Sequence, residues 1–413
     1  MATMTTYKPA LGFILVTLFL DIFGIGLIIP ILPKLIEQLE GGDVSAASHT
    51  FGWLGALYAL MQFLFSPILG SLSDRFGRRP VILGSLFGSG LDYLLLAFAP
   101  TLSWFYVGRV VAGITGANIS AASAYIADVS PPEKRAANFG MIGAAFGLGF
   151  IAGPALGGLL GGRDLRLPFL VAAAMTLINW LYGLLVLPES LAPENRRAFS
   201  WGRANPVGSF TSLRRHPLVL GLAVSFFLLS VGQYSTHSIW VLYTGYRYGW
   251  TAGQVGISLA IVGLTVAIVQ GGLARWLVPA MGEPKALIVG LCINFLALIG
   301  YGAVTQGWML YSIVALASLG AIGAPATQAL ITGGAEANEQ GAVQGALASL
   351  GSVAGFIAPL LSTSLFGYFI SDRAPILLPG APFFMGALLI LAALLVAIAT
   401  LLRHPPSRRP KNL

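Results

Sequence analysis

Apolar residues fall in runs of about 20, each long enough for a helix to cross a hydrocarbon layer of about 30 Å, and polar positions collect in the gaps between runs. Because a backbone in lipid must satisfy its own hydrogen bonds, such runs are read as helices. The windows predict helices at 10–39, 51–72, 80–99, 102–128, 135–162, 168–187, 217–245, 252–276, 285–304, 307–332, 340–366 and 381–402. An even number of spans puts both termini on one face.

Lysine and arginine settle which face that is. With both termini cytoplasmic, the only members of the 23 Lys and Arg not on the inside are Lys34, Arg163, Arg166, Arg247 and Arg373 in outer segments and Arg109 within a span. That bias follows the positive-inside rule. The longest polar gap, 188–216, holds PESLAPENRRAFSWGRANP and no apolar period. It divides the chain into a six-helix bundle at 1–187, a cytoplasmic linker at 188–216, a second six-helix bundle at 217–402 and a basic tail at 403–413. The expected fold is therefore all-α and membrane-embedded, with two similar halves; duplicated bundles of this kind are a recurrent transporter plan with substrate held near the midplane. The first apolar run has no small-residue cleavage site after it and reads as a retained helix.

Composition agrees with this picture. The chain of 413 residues is 56% hydrophobic and 9% charged, with mean hydropathy +0.82, against roughly 25% charged residues in soluble domains. The net charge of +8 would suggest nucleic acid in a soluble protein, but its placement in loops makes topology the better explanation. Cys292 stands alone, so neither a disulfide framework nor a cysteine-based metal site is expected. No Walker A loop, metal-ligand cluster or catalytic triad is visible. A bound cofactor, a resident metal, a nucleic-acid partner and enzymatic turnover are thus not expected, and the partners are a small molecule, protons and the bilayer, served by a monomer.

Three places carry chemistry. The turn after span two reads Gly70-Ser-Leu72-Ser-Asp74-Arg75-Phe-Gly77-Arg78-Arg79: glycines permit the reversal, the arginines anchor it inside, and Asp74 can pair with one of them or face a helix N-terminus. Span five carries Gly140, Gly149, Gly153-Pro154 and Gly157-Gly158, a nearly bare stripe in which Pro154 removes a backbone hydrogen bond. In span four, Arg109 lies roughly 12 Å deep, while Asp21 in span one and Asp92 in span three lie roughly 17 Å from the cytoplasmic face. Intramembrane charges are costly and usually functional. Two carboxylates against one guanidinium leave an excess negative charge, and proton uptake is the cheapest remedy because desolvation and a like charge both favour the neutral acid.

These motifs resemble known ones. The 70–79 turn matches GxLaDrxGrkxxl of the major facilitator superfamily, where it latches the cytoplasmic side. The span-five glycines fit G-x8-G-x3-GP-x2-GG, the antiporter motif of drug:proton antiporters, and Arg109-Val-Val-Ala-Gly113-Ile-Thr-Gly116-Ala117 resembles RxxqGxgaa, with Ala112 where Gln is common. With FLDIFGIGLIIPILP, GLDYLLLAFAP and GRVVAGITGA added, the chain resembles the tetracycline-resistance branch. That likeness implies alternating access, drug export driven by protons through Asp21, Asp92 and Arg109, and a bacterial cytoplasmic membrane. Candidate drug contacts are Asp21, Asp92, Asn118, Gln233, His237, Asn294, Gln328 and Gln344, for a tetracycline-like or broader amphipathic drug that can itself arrive metal-chelated. Two positions depart from the branch: Asn294 replaces an Asp of span nine and Val266 a His of span eight. Proton coupling is then expected to rest on Asp21 and Asp92; if the position of Asn294 decides the handling of metal-bound tetracycline, resistance is expected to be low and Asn294→Asp to raise it. A proton-coupled or uniport carrier for a small, sugar-like metabolite on the same fold stays open as an alternative.

Overall fold

A computed structural model describes residues 7–116, 119–197, 199, 216–334 and 340–405. Among them, twelve helical stretches are long and apolar enough to cross a membrane. They form two compact units: 1–205 with 244–263, and 206–243 with 264–413. The expected division, 1–187 against 217–402, differs at Thr244–Gly263, which packs with the first unit.

The first unit comprises α1 (Tyr7–Ile28), α2 (Leu32–Leu39), α3 (Val44–Phe76), α4 (Arg78–Phe98), α5 (Leu102–Gly116), α6 (Ile119–Val129), α7 (Pro132–Gly161) and α8 (Leu167–Val186). The single helix expected at 10–39 is broken: residues 29–31 form a turn. Pro30 has no amide hydrogen to continue α1, and Pro33 suits the first turn of α2. Span two begins earlier than expected because Asp43 caps α3, accepting from the Ala46 amide at 3.0 Å; such a cap typically contributes about 1 kcal/mol.

The glycine stripe is spent on α1. A β-carbon at Gly153 would lie 2.7 Å from the Phe23 carbonyl oxygen and 2.8 Å from Gly26 Cα, one at Gly149 would meet Ile22, and one at Gly157 would run into the Leu27 carbonyl. Backbone on backbone is how helices associate in lipid, where apolar burial gives no drive. α7 runs unbroken through Pro154, and its far edge takes the beginning of the next helix: Gly158 abuts the Ala252 backbone, and Gly256 abuts Pro154. That contact explains the grouping of 244–263. Elsewhere Asn179 of α8 donates to Thr17 of α1 at 3.1 Å, both buried. Arg166 donates to Ala97 O and Ala99 O at 2.9 and 3.0 Å, placing a cation on the C-terminal carbonyls of α4.

The second unit continues with α9 (Pro217–Tyr248), α10 (Ala252–Ile268), α11 (Ala274–Met281), α12 (Glu283–Ala303), α13 (Gly307–Ala317), α14 (Gly323–Gly333), α15 (Gln340–Ile370) and α16 (Ala381–Arg403). The C-terminal end of α9, from Thr244, and most of α10 belong to the grouping just described. Span eight is α10 and α11 joined by a π turn at Val269–Leu273, and span ten is α13 and α14 joined by a 3-10 turn at Ser318–Ile322. Gly290 lets α12 approach the Gly323 backbone within 2.8 Å of a would-be β-carbon. Trp240, Tyr301 and Phe383 stack edge to face, and Tyr243 donates to Tyr301 O at 2.7 Å.

Candidate functional site: a buried acid and arginine cluster

Asp92 and Tyr93 sit side by side on α4, 2% and 9% exposed. Asp92 Oδ1 presses on α5 at Gly108, 2.8 Å from where a β-carbon would stand, so the residue before Arg109 must be small for the acid to fit. Arg109 follows directly and acts electrostatically on Asp92. Tyr93 lies in the field of Asp21, Asp92, Tyr58 and Arg109 together, and its hydroxyl reaches the α1 backbone, 3.0 Å from a would-be β-carbon on Gly24. From α3, the Tyr58 ring lies 5.8 Å from the Arg109 guanidinium, within cation–π range. Gln62 Nε2 donates to the Tyr58 hydroxyl at 2.9 Å. Gly113 and Gly116 make this approach possible, since side chains there would meet Met61, Tyr58 and Gln62.

The structure thus brings Asp21, Asp92 and Arg109 into one group drawn from α1, α4 and α5. Asp92 Oδ1 and Arg109 Nε are buried and have no hydrogen-bond partner in the protein. Polar atoms buried without partners are costly in a membrane interior and mark a place where function outweighs stability.

Where α3 ends and α4 begins, Arg78 is the hub. It donates to Asp74 at 2.5 Å, to Ser73 Oγ at 2.7 Å and, through Nε, to Asp128 at 3.2 Å. Gly77 has φ +106°, a region that favours glycine, and a β-carbon there would collide with the Glu189 carboxylate. Glu189 Oε1 accepts from the Arg78 amide at 2.9 Å and from the Leu191 amide at 3.0 Å, and Oε2 from the Arg79 amide at 3.3 Å. This places an anion on the N-terminus of α4. Arg79 instead reaches Leu184 O at 2.8 Å, and Arg75 is exposed beside Phe76. A β-carbon on Gly70 would stand in ordinary contact with Ser120, 3.7 Å from its Oγ.

The second unit's candidates are scattered over several helices. Gln233 and His237 are exposed on α9, Gln328 is exposed on α14, and Gln344 on α15 is half-buried with its amide 3.5 Å from Thr332 Oγ1. Asn294 lies in a helix seam, its Nδ2 donating to Gly290 O at 2.8 Å and pressed on Gly320. Asn118 lies outside the described residues, as do the side chains of Gly140's neighbourhood.

Comparison with known proteins now decides the family. The family model of the Major Facilitator Superfamily matches residues 14–359. The chain is 43% identical over 361 residues to a class C tetracycline resistance protein of Escherichia coli, covering 86% of this chain and 89% of that one. To a class D tetracycline resistance protein of Salmonella ordonez it is 39% identical over 399 residues, covering 96% and 98%. The chain belongs to the tetracycline-resistance branch of the Major Facilitator Superfamily. A crystal structure of a human organic anion transporter shares 26% identity and superposes with a TM-score of 0.69 over 95% of this chain and all of that one. A bacterial homolog of the lysosomal transporter Spinster, at 17% identity, shares the fold with a TM-score of 0.73 over 97% and 96%.

Within this superfamily frame, the sequence motifs mark only part of each cluster. Tyr58, Gln62 and Tyr93 complete the intramembrane group. The signal for the first two was a tyrosine and a glutamine four residues apart in an apolar run, hence on one helix face; for Tyr93 it was adjacency to Asp92. Asp128 and Glu189 complete the superfamily's cytoplasmic turn. Glu189 was hidden because 188–216 reads as linker throughout, whereas residues 188–191 dock on the first unit, with Leu191 buried and Tyr125 donating to Pro188 O at 3.0 Å.

Proposed function

We propose that this carrier exports a tetracycline-like drug across a bacterial cytoplasmic membrane in exchange for protons, by alternating access, with both termini in the cytoplasm and no bound cofactor. The observation that carries the reading is the buried, unpartnered Asp92 Oδ1 beside Arg109, in a chain whose relatives are tetracycline resistance proteins. In this scheme Asp92 takes a proton in the outward-open state, Asp21 across the group shares the charge, and Tyr93 and Tyr58 hold the acids and the guanidinium in register. Release of the proton inward restores attraction to Arg109. No bond of the drug is made or broken, so the protein acts as a carrier and not an enzyme, and one chain suffices.

The test is a pH gradient imposed on everted membrane vesicles, with a pH-sensitive dye reporting proton movement. Addition of tetracycline is expected to dissipate the gradient saturably. A response no larger than that of vesicles lacking the protein, across tetracycline and other amphipathic drugs, would remove the export reading.

A further inference from the structure

The outer end of the first unit carries a short helix with a joint at each end. α2 is eight residues long. It follows the turn at 29–31 and precedes Gly41 and Gly42, whose φ angles of +71° and +90° favour glycine and whose would-be β-carbons meet nothing within 4 Å. Leu32, Pro33, Leu35 and Ile36 are buried, while Lys34 and Gln38 stand exposed. The helix therefore lies with one apolar side down on the unit.

The acid group is beneath it. Asp92 stands six residues before the end of α4 at Phe98, roughly 9 Å along the helix. One turn further out, Leu96 is fully buried and packs where a β-carbon on Gly108 would stand, the same place that Asp92 Oδ1 presses on. Tyr93, Leu96 and Ala97 share one apolar cluster with Leu32, Leu35 and Ile36. Such side chains offer water no partners, so the space between them stays dry. Within its own unit, Asp92 has no wet route to the outer surface while α2 is down.

One polar contact fastens the second joint. Glu40, the residue that ends α2, accepts through Oε1 from Thr50 Oγ1 of α3 at 2.5 Å. Thr50 also shares a hydrogen bond with Tyr106 of α5.

We propose that α2 is a lid over the proton group: turning on its two joints, it admits water and protons to Asp92 from the outer side, and the Glu40–Thr50 bond is the catch that holds it shut. This rests on the drug-export reading for the ion and for which side is outer. The lid adds to that reading the route by which outer protons arrive.

The test uses the full chain in right-side-out membrane vesicles. Cys292→Ser with Ala97→Cys leaves a single thiol, in the cluster under α2, and a membrane-impermeant methanethiosulfonate is the probe. Labelling from outside is expected to be slow in this parent and about tenfold faster once Thr50→Val is added, the effect of losing one hydrogen bond to a charged acceptor. Glu40→Gln keeps an acceptor and should stay within about threefold of the parent. Equal rates in the parent and Thr50→Val, or a parent labelled as fast as a thiol placed at exposed Gln38, overturns the proposal. A second measurement keeps the lid shut instead. Joining Glu40→Cys to Thr50→Cys with a short bis-thiol reagent should stop gradient-driven tetracycline transport while counterflow persists. Uphill transport that survives linking, or counterflow lost with it, overturns the lid. Labelling needs neither drug nor gradient, so the two readings fail separately. Labelling as expected in a protein through which tetracycline moves no protons sinks export alone, and saturable export with equal labelling rates sinks the lid alone.

Discussion

The two units solve the problem of polarity in a membrane differently. The first keeps formal charges, Asp21, Asp92 and Arg109, inside its helices and surrounds them with tyrosines held close by glycines. The second keeps amides and one imidazole there and confines its charges to helix ends. Formal charge responds strongly to a proton; an amide does not. On the export reading proposed above, the contrast gives a proton more to act on in the first unit than in the second.

The sharpest way to break this contrast is Asp92→Asn. Uphill, gradient-driven drug movement is expected to be lost altogether while counterflow, which needs no net proton movement, persists; uphill transport with the normal pH dependence would move the coupling elsewhere. Next is the support of the charged unit. Gly153→Leu should abolish accumulation of folded protein, because the Phe23 carbonyl and Gly26 occupy the space, whereas Gly147→Ala on the same helix, with open space around it, should leave the midpoint of thermal unfolding within a few degrees. Size-exclusion profiles in detergent distinguish these outcomes.

Smaller effects test the turn at 70–79. Glu189→Gln removes the charge on the α4 N-terminus but keeps an acceptor, so it should cost about 0.3–1 kcal/mol of the latched arrangement and change turnover by a few-fold, with drug affinity unchanged. Asp74→Asn should act in the same direction, because it loses the ion pair to Arg78. Asn294→Asp tests the second unit, and no change in transport per molecule is expected from it. The sequence alone suggested that a carboxylate here would raise tetracycline resistance. The observed amide donates to Gly290 O, which an ionised acid cannot do, and an added charge at the helix centre costs roughly 2.5–3.5 kcal/mol on insertion scales. Immunoblotting beside resistance assays should show less protein and no gain in resistance per molecule.

What was legible in the sequence was mainly what is improbable in lipid. Asp21, Asp92 and Arg109 stand out because charges inside apolar runs demand a reason, and the twelve spans follow from run length alone. Tyr58, Gln62 and Tyr93 did not stand out because tyrosine and glutamine are unremarkable in a span until a charge is placed beside them, and only folding does that. The break at 29–31 was written in Pro30 and Pro33, but a hydropathy window averages over backbone donors and so ran past it. The orientation of Asn294 depends on Gly290 and Gly320, on separate helices, and no local pattern encodes it.

Because Glu189 holds residues 188–191 against the turn at Gly77, the covalent end of the first half and its mechanical end are not the same place. A two-piece version of the protein, made as separate polypeptides, should therefore be divided after residue 197, so that the first piece keeps the carboxylate that closes its own helix. A division at 187 would give a first piece of the same spans with its α4 N-terminus uncovered.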